Sequence, residues 1–219
     1  MSQPLTLDSL PLFPLGSVLY PGGALPLRIF EVRYLDMVGK CHKLRAPFGV
    51  VALTQGAEVQ RPAASGPNGD AFANESFEAV GTLATIIEFS TPQPGLMVIR
   101  CTGAQRFKLT GREKLKHGLW IGDAVPLAPD QAIAIPPDLR GISNALGNLI
   151  KSLEERDVSP AQMPFAPPYL LDDCAWVANR WCELLSLPLA HQQRLMELDN
   201  PLVRLELVGD MLERSGIRK

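Results

Sequence analysis

The sequence predicts an α+β fold: strands with one embedded helix in the first half, helices alone in the second. Three observations carry this. Residues 10–41, LPLFPLGSVLYPGGALPLRIFEVRYLDMVGKC, start as proline-interleaved apolar backbone and then change to a helical period. Pro126, Pro129, Pro136 and Pro137 crowd one short segment. Beyond it, apolar residues recur at steps of three and four.

Each element follows from local chemistry. Proline lacks an N–H, so Pro11, Pro14, Pro21 and Pro26 confine their segments to short, bent strands with prolines at ends or edges. Gly22-Gly23 supplies the reversal between them. Phe30, Tyr34, Met37 and Cys41 then share one face of a helix of about three turns. Glu31 is expected in its first turn, at the positive end of the helix dipole, with Asp36 and Lys40 toward water. Phe48 to Thr54 reads as a buried strand, and Gln55 to Ser76, poor in large apolar residues, as a long surface loop. Phe77 to Thr91 and Leu96 to Thr102 flank the turn Pro92 to Gly95 as a hairpin. Gln105 to Thr110 and Leu119 to Val125 form a second pair around Lys116-His117-Gly118, which is enough strand to close a small barrel.

These readings divide the chain into a β-barrel subdomain over 1–125, a proline-rich connector over 126–137 and a helical subdomain over 138–219. In the last, Leu139, Ile142, Leu146, Leu149 and Leu153 share a face behind Asp138 as N-cap. Asp172 or Asp173 caps a helix in which Cys174, Val177, Trp181 and Leu184 share a face. A shorter helical segment lies between Leu185 and Asp199, and Asn200-Pro201 opens a final helix.

Composition limits the function classes. At 219 residues, 46% hydrophobic, the chain can bury a substantial core without staples. Its four cysteines are far apart and form no CxxC pair, which fits reduced thiols in a cytoplasm. No secretory signal is apparent at the N-terminus, and no apolar run approaches the ~20 residues of a membrane span. A net charge of −2 argues against a nucleic-acid partner. Gly39-Lys40 is followed by Cys41 and lacks the earlier glycine of a phosphate-binding loop; neither G-x-S-x-G nor H-E-x-x-H occurs. His42, His117 and His191 are scattered. No catalytic, cofactor-binding or metal-binding residue is therefore assigned.

The first block also carries a family likeness. Pro11 to Pro14, Pro21-Gly22, Leu25 to Leu27 and Ile29 to Tyr34 resemble the opening of the N-terminal domain of Lon proteases. Gly81 to Ala84, Gly103 to Phe107, and Ala178-Asn179-Arg180 with Glu183-Leu184-Leu185 resemble its later blocks, in order. The resemblance implies a PUA-like six-stranded β-pseudobarrel followed by an α-helical bundle. It also implies a role in holding polypeptide, because the ATP-driven motor and the proteolytic site of Lon lie outside that domain. Among the motif residues, Arg28, Phe30, Glu31, Arg33, Tyr34, Arg106 and Phe107 are read as structural, with the Arg106 head kept wet beside a buried Phe107. Aromatic side chains in apparent loops, Phe165, Tyr169 and Phe72, are the candidate peptide-binding residues. The expected function is a non-catalytic module that binds unfolded or apolar polypeptide, or a specific protein partner, in a groove between barrel and helices. The alternatives are a small-ligand or RNA-binding PUA-like domain and an enzyme with an unrecognised site; the oligomeric state is left open.

Overall fold

Two strands of this protein are buried on both faces over the stretches 10–15 and 48–52, which explains why those stretches are apolar in succession rather than alternating. They are β1 (Leu7–Leu15) and β3 (Phe48–Gln55), paired in parallel from Leu12 opposite Gly49 to Leu15 opposite Ala52. A parallel pair needs a crossover, and here it consists of β2 (Ala24–Ile29) and α1 (Val32–Leu44). The computed structural model describes residues 7–56, 75–156, 158 and 163–216.

The remaining strands are β4 (Ser76–Gln93), β5 (Leu96–Lys114) and β6 (Trp120–Pro126). The order β2-β5-β4-β3-β1-β6, with an added β5–β6 pairing, closes five strands into a ring and leaves β2 beside β5. Leu10, Leu12, Val51, Phe77, Leu83 and Phe107 fill one core. On the other face of the sheet, Phe13, Leu15, Phe48, Val50 and Ile99 pack with Tyr34, Met37, Val38 and Cys41 of α1. Phe107 is fully buried, and the close approach of its ring excludes side chains nearby: a Cβ at Gly81 would lie 2.7 Å from that ring and 2.3 Å from the Val50 carbonyl oxygen.

Contacts within the chain group it into two compact units, one of Pro21 and earlier residues with Leu25–Ala128, the other of Gly22–Ala24 with the chain from Pro129. The second unit contains a short 3-10 turn (Pro137–Leu139), α2 (Arg140–Glu155), α3 (Cys174–Leu184), α4 (Leu189–Glu197) and α5 (Pro201–Arg214). Asp173 caps α3 by accepting the Trp176 N–H, and Asn200 caps α5 through the N–H groups of Leu202 and Val203. Ile142, Leu146, Val177, Leu205 and Val208 are fully buried.

Several local expectations are corrected. Glu31 is not in the first turn of α1 but at its N-cap, with extended backbone and its carboxylate turned to Arg33 rather than to the helix N–H groups. Phe30 therefore precedes the helix and is 54% exposed instead of facing the core. The strands expected over 96–102 and 105–110 are one, because β5 runs through Gly103 with an irregularity in its pairing to β4. Glycine is needed there for close approach: a Cβ at Gly103 would lie 2.1 Å from the Tyr20 carbonyl oxygen. α2 starts after Asp138, which falls in the 3-10 turn, and Ile150 rather than Leu149 is its buried residue. Arg106 is buried, not wet, and donates to the Ala128 carbonyl. Most of the expected surface loop, residues 57–74, lies outside the described residues.

Candidate functional site

Along α1 the first unit carries an apolar cleft of about 460 Å³. One wall is the face of α1 bearing Val32, Asp36, Met37, Lys40, Cys41 and Leu44; the other is made by Pro11, His117 and Leu119. Local chemistry sets both ends. Arg45, at φ 51, terminates α1 in the left-handed conformation with its N–H directed to Cys41 and His42 carbonyls, so that Ala46 and Pro47 fold under the helix end. Opposite, Gly118 donates to the Leu115 carbonyl and Leu115 to the Leu119 carbonyl, a tight turn that holds His117 at the rim. Val32 and Leu44 are each 73% exposed, unusual for large apolar side chains at both ends of one groove.

Below the rim the charges are internally satisfied. The Arg33 guanidinium meets Glu31 at 3.1 Å, Glu75 at 3.2 Å and the Gly118 carbonyl at 2.8 Å. Glu75 also accepts the Trp120 indole N–H at 2.7 Å and lies 3.5 Å from the Lys114 ammonium. Arg33 is thus spent on scaffolding, with its head 4.4 Å from the centre of the Tyr34 ring. Burial pushes the Tyr34 hydroxyl well above its usual range, partly offset by Arg33, and burial likewise raises the Cys41 thiol. A protonated phenol and thiol supply no nucleophile. Among the described residues no group of three or more His, Cys, Asp and Glu is placed to hold a metal ion. What remains is apolar surface with Asp36, Lys40 and His117 at its edge.

The structure distributes the predicted residues differently. Phe165 is buried, 2% exposed, with its ring edge-on to Trp176 at 6.2 Å. Tyr169 is half-buried against the same indole at 6.2 Å. Both belong to the second unit and neither lines the cleft, while Phe72 lies outside the described residues. Arg28 is exposed on β2 and Phe107 is buried in the barrel. Val32 and Leu44 escaped the sequence reading, although both interrupt the polar side of α1, a signal visible in its helical period.

Comparison with known proteins agrees with this architecture. The model of the ATP-dependent protease La (LON) substrate-binding domain matches residues 9–214. The solved structure of a Lon N-terminal domain protein from Xanthomonas campestris is similar at a TM-score of 0.62 and 31% identity, over 92% of this chain and 97% of that one. The N-terminal domain of a Mycobacterium avium complex Lon protease shares the fold at a TM-score of 0.52 and 15% identity, over 93% and 97% of the two chains. A curated relative, the lysylphosphatidylglycerol biosynthesis bifunctional protein LysX of Mycolicibacterium gilvum (strain PYR-GCK), is 33% identical over 125 residues. That match covers 54% of this chain and spans 11% of the relative's length. With a family match over nearly its whole length and the corresponding fold, this chain belongs to the family of the ATP-dependent protease La (LON) substrate-binding domain.

Proposed function

We propose that this chain is a non-catalytic module that holds polypeptide segments, taking their apolar side chains into the cleft along α1. The carrying observation is that cleft: about 460 Å³ of mostly apolar space, entered past exposed Val32 and Leu44. Its size falls in the range of ligand sites, and its few polar groups make it tolerant of sequence, as a holder of varied clients requires. Kinship with substrate-binding domains supports the reading. Four free, buried cysteines suit a reducing cytoplasm as its place of work.

Residue-resolved NMR with an unfolded apolar peptide tests this. Shifts are expected along α1 and at residues 115–119, and Val32→Glu should weaken binding roughly tenfold, the loss expected for one buried aliphatic contact. Shifts confined to the neighbourhood of Tyr169 and Trp176, or none with any unfolded client, would remove the cleft as the site.

A further inference from the structure

The outward stripe of α1 reads the same from either end. Val32, Asp36, Lys40 and Leu44 succeed one another at four-residue steps, apolar, acidic, basic, apolar, and all four are exposed. Val32 and Leu44 are the most exposed large apolar residues among those described, at 73% each. Turned about a two-fold axis passing midway between Asp36 and Lys40 on the outer face, such a stripe is complementary to itself. Val32 then faces Leu44 of a second copy, and Asp36 faces Lys40 of a second copy, each contact occurring twice.

From this charge pattern we infer that the α1 stripe is a self-association surface whose occupant is a second copy of this chain, held antiparallel across a two-fold axis. Charge selects the arrangement over its rivals. A parallel pairing sets Asp36 on Asp36 and Lys40 on Lys40. Slipping the antiparallel pair by one turn sets Asp36 on Asp36 in one direction and Lys40 on Lys40 in the other. Only the symmetric register satisfies both charges and both apolar ends, and like charges face to face penalise the others. Antiparallel helices also oppose their macrodipoles favourably. Arg33, the other cation on this wall, does not disturb the pattern, because it is buried and engaged by Glu31 and Glu75.

The stripe is also the outer wall of the cleft, so a second copy and a client polypeptide contend for it. That regulatory consequence rests on the proposed holding function; the pairing itself does not. Self-association would then shield the apolar ends in the absence of client.

Sedimentation velocity over a concentration series, with Asp36→Lys, Lys40→Asp and the double variant D36K/K40D, decides the matter. The wild-type chain should shift from monomer to dimer as concentration rises. Each single variant places like charges across the axis twice and should raise the dissociation constant by at least about tenfold. The double variant restores the palindrome and should restore association. An equimolar mixture of D36K and K40D should form a heterodimer although neither associates alone. A wild-type chain that stays monomeric throughout, single variants that associate like the parent, or a mixture that stays monomeric would each overturn the pairing. The two proposals fail separately: a monomeric chain that binds unfolded peptide loses only the pairing, and a dimer indifferent to every peptide loses only the holding function.

Discussion

Arg204 has five N–H donors, and the second unit directs an acceptor at each. Its Nε donates to the Leu195 carbonyl at 2.9 Å, one terminal nitrogen to Asp130 at 2.7 Å and Asn179 at 2.8 Å, the other to Asp130 at 3.1 Å and to the Leu198 carbonyl. A fully buried guanidinium is tolerable only on such terms, since its desolvation must be offset by geometry and by complete hydrogen bonding. Arg204→Ala removes the charge facing a nearly buried Asp130 and should cost on the order of 3–5 kcal/mol in urea denaturation; an unchanged midpoint would refute this account. The cysteines allow a second residue-level test. Burial, aided by the nearby Cys41, pushes the Cys101 thiol up to about 12 from an ordinary 9.0. A thiol-specific reagent at neutral pH should therefore leave Cys101 unmodified until the chain unfolds. Between pH 9 and about 12 the unfolded chain releases this proton while the folded chain keeps it, so this group makes stability fall as pH rises through that window. Replacing Cys101 by Ala should flatten the slope in a pH series of unfolding midpoints.

Among the elements, α1 joins the barrel to the cleft, and its inward and outward faces do different work. Tyr34 is 3% exposed and stacks on Phe13 at a centroid distance of 4.0 Å, so it anchors the helix to β1. Tyr34→Ala should cost about 3–5 kcal/mol by cavity formation, read as a fall in thermal midpoint. β5 gives a parallel case. Gly103→Ala should destabilise by roughly 1–3 kcal/mol, because the added methyl meets the Tyr20 backbone rather than a side chain able to move; a fully tolerated substitution would show that the segment carrying Tyr20, between β1 and β2, can move away from β5. The same elements show how far the sequence could be read. Apolar periods and caps located α1, β3, α3 and α5, since those signals are local. Residues 96–102 and 105–110 read as two strands, since a glycine admitted for close packing, as Gly103 is, carries no local sign that the strand continues through it. The networks of Arg33 with Glu75 and of Arg204 with Asp130 span 42 and 74 residues, and no local pattern announces such pairings. The cleft was hidden for the same reason, because its walls come from α1, β1 and the turn before β6.

At the scale of the whole molecule, the holding function proposed above makes binding without chemistry a testable expectation. The described surface offers apolar contact along α1, while four groups near it are withdrawn: the thiols of Cys41 and Cys101 are buried and held protonated, the Tyr34 phenol likewise, and Glu75 is committed to three donors. The sequence contains no phosphate-binding loop in which backbone N–H groups could cradle ATP. The proposed holding function predicts action by stoichiometry rather than turnover. Mixed with an unfolded client such as reduced casein, the purified chain should slow aggregation in proportion to its own concentration, and ATP should make no difference. The client should be recovered intact by mass spectrometry. Val32→Glu and Leu44→Glu, both at exposed positions where folding is little affected, should abolish most of this protection, whereas Tyr169→Ala should leave it nearly unchanged. Proteolysis or ATP hydrolysis that survives repurification would defeat the non-catalytic reading. Protection lost with Tyr169 but kept without Val32 and Leu44 would instead move the site to the aromatic cluster of the second unit.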